Sequence, residues 1–182
     1  MAIDLKVTYL NGPFEKGYDF GDLSLKFTHV LDVNKSRGIA YTAELFFDTA
    51  NRSDLGNGQT VLEMSAFYAK FLDGGSSIAP AWVQTVGLEG KGTNGTRINT
   101  STIDFYYVPK LPNPKIFMTF DPAVSYDWET DEGFASLQVT LGLLTGKAFG
   151  GDSQVFIKPG IYAGTNRPLD YSVQIGYKVL SF

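Results

Sequence analysis

IFMTFDPAVSYDW, residues 116–128, decides how this chain is read. Ile116, Met118, Phe120, Val124, Tyr126 and Trp128 share one parity, and Thr119, Asp121, Ala123, Ser125 and Asp127 share the other. Side chains of a strand point alternately to its two faces, so this pattern marks a strand with one apolar and one polar face. A helix would need an apolar stripe every 3.6 residues, and none runs for a useful length.

The same period continues on both sides. Downstream, Leu137, Val139, Leu141 and Leu143 stand against Ser136, Gln138, Thr140 and Gly142, and Tyr171, Val173, Ile175, Tyr177 and Val179 against Ser172, Gln174, Gly176 and Lys178. Upstream, Leu23, Leu25 and Phe27 alternate with Ser24, Lys26 and Thr28, and Ile39, Tyr41, Ala43, Leu45 and Phe47 with Thr42 and Glu44. Leu62, Met64, Ala66 and Tyr68 face away from Glu63 and Ser65, and Ile103, Phe105 and Tyr107 from Asp104. Turn-forming clusters separate these runs, among them NGPFEKG at 11–17, TANRSDLGNG at 49–58, DGGSS at 73–77 and GKGTNGT at 90–96. The punctuation predicts about ten antiparallel strands, within a range of roughly 8–12, in one domain over residues 1–182. Pro80, Pro122 and Pro159 inside the runs are expected at bulges or local strand ends.

Composition narrows the functions. The chain has no cysteine and one histidine, which removes disulfides and thiolate metal sites. A formal charge of −4 argues against a nucleic-acid partner held by basic patches. No apolar run approaches the roughly 18 residues of a spanning helix. A membrane barrel needs no such run, because its strands take about 9–11 alternating residues each.

Counting chooses a direction for the apolar face. The apolar parities, including Ile3, Leu5, Val7 and Tyr9, sum to roughly forty side chains, whereas a closed eight-stranded barrel fills its interior with about twelve. They therefore face lipid or are divided between two packed sheets. The other parity carries Glu44, Glu63, Asp104, Asp121, Asp127, Lys158 and Lys178 among small polar residues and glycines, which suits a narrow wet lumen. Tyr9, Tyr68, Trp82, Tyr107, Trp128 and Tyr171 near strand ends resemble interfacial girdles. The expected fold is an all-β, up-and-down transmembrane β-barrel whose lumen is lined by those seven charged residues.

Other constellations are weaker. His29 with Ser24 or Ser36 is the one set from which a hydrolase dyad can be drawn, but its parity places it on the apolar face. Asp127, Glu129, Asp131 and Glu132 crowd a turn without the glycine of a calcium loop, and Gly90-Lys91-Gly92-Thr93 lacks the full phosphate-loop pattern. Neither a metal nor a cofactor is expected.

The end of the chain resembles the strand that the outer-membrane assembly machinery of bacteria reads. Gln174, Gly176 and Val179 match its polar–x–Gly–x–x–apolar core, and Phe182 supplies the terminal aromatic. Phe182 and Val179 differ in parity, so the match requires a bulge. Phe20-Gly21-Asp22-Leu23-Ser24-Leu25, and Phe47-Asp48-Thr49 continuing through Leu55-Gly56-Asn57-Gly58-Gln59, are similar to motifs of the barrel family named for the meta-pathway of phenol degradation. Gln154 to Gly160, through Asn166-Arg167-Pro168 to the terminus, resembles that family's final hairpin. The resemblance implies a non-enzymatic outer-membrane channel or binding protein for small, often aromatic, molecules. Its expected partners are the lipid bilayer and the barrel-assembly machinery, and its leader is expected to have been removed. Long connections at 11–20, 49–58 and 89–97 are expected at the extracellular end, and short ones at 32–37, 73–77 and 109–114 at the periplasmic end. The rivals are a soluble sandwich or calyx with the apolar parity inward, and an outer-membrane enzyme using His29.

Overall fold

A computed structural model describes residues 2–11, 16–51, 56–92, 95–148, 150–165 and 167–180, with side chains between Gly21 and Val179. Ten strands follow one another: β1 (Ala2–Asn11), β2 (Lys16–Val33), β3 (Arg37–Phe46), β4 (Val61–Phe71), β5 (Ser77–Gly87), β6 (Asn99–Val108), β7 (Ile116–Asp127), β8 (Glu132–Ala148), β9 (Gly151–Gly164) and β10 (Tyr171–Leu180). Each pairs antiparallel with the next, giving one sheet in the order β1 to β10. The fold is all-β and up-and-down, and the sheet curls like a barrel wall. It is one continuous sheet, not the two packed layers of a sandwich.

Contacts between strands two apart identify the inside of the curl. Lys158 of β9 reaches over β8 to Asp121 of β7, and the rings of Phe67 (β4) and Tyr106 (β6) approach to 6.5 Å over β5. All four lie on the polar parity, so the polar face is concave and the apolar face convex. Burial agrees. The buried hydrophobic side chains among the described residues are Val61 and Ala81, while Asp22, Ser24, Glu44, Gln59, Ser65, Asp121, Ser125 and Ser153 are buried. Outside, Ile175 is 79% exposed, and Leu25, Ile103, Val124, Leu137, Leu141 and Ile161 are exposed with it. An apolar calyx would show the reverse.

Connections sort to two ends. The strand ends of β1/β2, β3/β4, β5/β6, β7/β8 and β9/β10 that are joined in sequence share one end of the sheet, here the long-loop end. Residues 34–36, 72–76 and 109–115 lie at the other, the short-turn end, where β8 and β9 also join. The connection expected over 11–20 is short, because the β1–β2 ladder reaches Asn11↔Lys16.

The three prolines stand neither at bulges nor at strand ends. Phe67↔Ala81 and Lys70↔Ile78 keep one register around Pro80, as do Asp104↔Ala123 and Tyr107↔Phe120 around Pro122, and Gln138↔Gly160 and Leu141↔Ile157 around Pro159. A missing N–H interrupts one ladder locally, and the neighbour on the strand's other side holds the register. The bulges fall elsewhere. Leu5↔Leu23 is followed by Val7↔Phe20, so Gly21 and Asp22 together oppose Lys6, and further shifts lie at Val30/Asp32 and Leu144/Gly146. No bulge interrupts β10 either: its ladder with β9 runs unbroken from Tyr171↔Ile161 to Leu180↔Asp152. Phe182 itself, like Leu55, Asn166 and the side chains of Ile3, Leu5, Val7 and Tyr9, lies outside the described residues.

Trp82 also departs from the expected girdle. It pairs with Ala66 and Ile103 in the middle of β5. Tyr68 and Tyr107 stand toward the short-turn end, and Trp128 and Tyr171 at the long-loop end. At the latter the indole N–H of Trp128 donates to Ser101 Oγ at 2.9 Å, and Gln84 donates to Asn99 Oδ1 at 3.0 Å. A wide ring with a hydrogen-bonded polar tip suits a boundary between apolar and wet surroundings.

Candidate functional site

The register assembles the charged residues of the concave face into two groups. Lys26, Glu44 and Glu63 stand side by side on β2, β3 and β4. Lys26 Nζ lies 2.9 Å from Glu44 Oε2, and Ser24 Oγ donates to Glu44 Oε1 at 2.6 Å. Asp104, Asp121 and Lys158 form the second group. Lys158 Nζ lies 3.1 Å from Asp121 Oδ2, and Tyr106 donates its hydroxyl to Asp104 Oδ2 at 3.1 Å. A buried carboxylate left without such partners costs several kcal/mol.

A polar cavity of about 270 Å³ opens beside the second group. Asp104, Tyr106, Asp121, Gln138, Lys158 and Tyr162 line it together with Thr102, Ser125, Ser136, Ala123 and Phe134. Its wall is cross-braced: Thr102 and Ser125 share a hydrogen bond of 2.8 Å, and Gln138 Nε2 donates to the Tyr162 hydroxyl at 2.6 Å. Every buried side-chain polar atom described has a partner. The cavity presents fixed donors, acceptors and charge to a small solute.

Not all seven residues expected in the lumen meet there. Asp127 closes β7 at the long-loop end, paired with Thr100 and Glu132, and accepts the Glu129 N–H at 2.9 Å. Lys178 pairs with Gln154 near the end of β10 and is exposed. Gln174 pairs with Lys158, and Val179 with Ser153.

Aromatic rings on the concave face escape the sequence reading. Phe117, Gly142, Phe156 and Gly176 form one cross-strand row over β7 to β10. A Cβ on Gly142 would stand 2.0 Å from the Phe117 ring, and one on Gly176 would stand 2.4 Å from that of Phe156. The glycines thus leave room for rings lying along the wall. Phe117 breaks the apolar alternation of 116–128, and that break is the signal that could have found it.

Three further residues tie the long loops to this face. Asp22 accepts backbone N–H groups from Thr49 (3.1 Å), Ala50 (3.0 Å) and Asn57 (2.7 Å), all in the connection 47–60. Thr49 Oγ1 returns the link by accepting from Leu23 N at 2.8 Å. Gln59, 2% exposed, lies over Gly87, and its amide oxygen accepts from Gly92 N (3.0 Å) and Ile98 N (3.1 Å) in the connection 88–98. The Phe-Gly-Asp motif carried the signal for Asp22.

The remaining constellations separate. His29 stacks on Phe27 and lies 5.5 Å from the ring of Tyr41 on the convex face, while Ser24 on the same strand points to the other face. Ser36 donates to Asn34 within its turn. Among the described residues no three His, Asp or Glu side chains group to hold a metal ion, and no helix is long and apolar enough to cross a membrane. Comparison with known protein families, characterised proteins and solved structures finds no match to this chain.

Proposed function

We propose that this chain is an outer-membrane β-barrel that binds or conducts small molecules along its polar concave face. The inversion of polarity carries the reading: apolar side chains cover the convex face, and carboxylates, hydroxyls and amides are buried on the concave one. Leaving a large apolar side chain in water forgoes about 1.5–3 kcal/mol each, so a surface of this kind calls for lipid. Strand length supports it, because β1, β3 to β7 and β10 have 10 to 12 residues, against the roughly 9–11 needed to cross a bilayer. The resemblance to the phenol meta-pathway barrels supports the same location. It also supports a small aromatic solute, for which the rings of Phe117 and Phe156 offer stacking surface.

Solubility and current test the proposal together. The folded chain is expected to be monodisperse only in detergent, to migrate anomalously on gels until heated, and to pass current when reconstituted in a planar bilayer. A monodisperse species in plain buffer would overturn the membrane location. A detergent-soluble barrel without current would leave a binding protein in place of a channel.

A further inference from the structure

The register explains why a cavity lies on the wall between β6 and β9. Asp104, Ala123, Ser136 and Tyr162 are successive partners in one row across these four strands. Partners in such a row share the space above one face of the sheet, and the two in the middle have short side chains. Ala123 and Ser136 thus make a low floor between a carboxylate and a ring. Tyr162 leans along β9 toward Gly160. Its hydroxyl accepts from Gln138 at 2.6 Å and lies 3.2 Å from Ser172 Oγ, and a Cβ on Gly160 would stand 3.0 Å from Gln138 Cγ and 2.9 Å from that Ser172 oxygen. The Phe134 ring stands 6.3 Å from that of Tyr162 and lines the same cavity.

Charge then selects what the cavity takes. Asp104, Asp121 and Lys158 are the ionised groups on its wall, so it carries one net negative charge. Lys158 is engaged by Asp121 at 3.1 Å, and an anion entering would face the Asp104 carboxylate. A cation would find that carboxylate beside the rings of Phe134 and Tyr162, whose faces attract positive charge. We propose that this cavity binds a small organic ammonium ion. Tyr106 donates to Asp104 Oδ2, so Oδ1 accepts the ligand's N–H, while its hydrocarbon part lies over Ala123 and against Phe134. The inference rests on the reading of the concave face as open to solutes, and names a ligand class for this part of it.

Benzylammonium, benzyl alcohol and benzoate are similar in size, share one ring and differ in charge. Each is titrated calorimetrically into the folded chain in a non-ionic detergent, against a detergent blank. Benzylammonium is expected to bind about ten-fold more tightly than benzyl alcohol, and benzoate more weakly than either, because a hydrogen bond to an ionised group exceeds a neutral one by roughly this factor. Asp104→Asn keeps an acceptor for Tyr106 and removes the charge, and is expected to erase the advantage of benzylammonium over benzyl alcohol. Ala123→Leu raises the floor without altering any charge and is expected to weaken both; Ser136→Leu does the same should that variant fail to fold. Benzylammonium bound no more tightly than benzyl alcohol by the wild type, or bound as tightly by folded Asp104→Asn or either floor variant as by the wild type, would overturn the site. Solubility and bilayer current judge the barrel reading separately. A chain that is monodisperse in plain buffer, or that carries no current, can still bind benzylammonium, and a conducting barrel can fail to bind it.

Discussion

At the scale of the residue, Asp104 differs from Glu44 and Asp121 on the same concave face. Glu44 faces Lys26 at 2.9 Å and Asp121 faces Lys158 at 3.1 Å, whereas Asp104 meets a phenolic hydroxyl. It stands on the cavity wall, where under the proposed function its charge would act on a passing ion. In a narrow pore one carboxylate facing the path favours cations, because the surrounding medium screens it less than bulk water does. Asp104→Asn is therefore expected to lower the cation-to-anion permeability ratio about two- to five-fold, read from the reversal potential across a potassium chloride gradient. An unchanged reversal potential would mean that ions do not pass this cavity. Such a residue is legible in sequence as a charge on the polar parity. That its hydrogen bond comes from a phenol while Lys158 bonds Asp121 is not legible, since Lys158 comes from β9, 37 residues from Asp121.

At the scale of the element, the Asp121–Lys158 pair ties β7 to β9 across the curl. Removing one member leaves the other charge in a half-dry wall, and removing both leaves none. Lys158→Met is thus expected to cost about 2–4 kcal/mol of stability, and the double variant Asp121→Asn with Lys158→Met markedly less. Urea unfolding in detergent checks the order, and a double variant no better than the single one would show that the pair does not brace the curl. The same strands show how far periodicity reaches. Alternation marked the strands and their faces because a sheet with one apolar side enforces a period of two. It misplaced the prolines, since a strand with neighbours on both sides survives the loss of one ladder bond. It missed Phe117 and Phe156 because their place depends on Gly142 and Gly176 across the register, which no single strand records. The Phe-Gly-Asp motif was visible, but its bulge and its seat for the 47–60 connection arise only from long-range pairing.

At the scale of the whole molecule, the count of apolar side chains excludes a barrel with the apolar face inward, because too many are present for one interior, and leaves lipid or a second packed sheet. The structure puts them outside and leaves β1 and β10 as the two ends of the sheet order, with no ladder between them among the described residues. An unpaired strand edge is costly in hydrocarbon, where each bare backbone group lacks water as a partner. Ten is an even number, so β1 and β10 run antiparallel and can close the wall without a crossing connection. Closure in the bilayer is expected, and it has a register. With one cysteine fixed at Gln174 and a second walked along β1 from Ile3 to Tyr9, oxidation in reconstituted vesicles should cross-link strongly at one position and weakly at its neighbours. Moving the fixed cysteine to Ser172 should shift the strongest partner by two residues in the opposite direction, as an antiparallel ladder requires. Cross-links formed between chains rather than within one would mean that the edge is closed by a second copy. Their absence in both forms would mean an open sheet, which a lipid-embedded barrel does not tolerate.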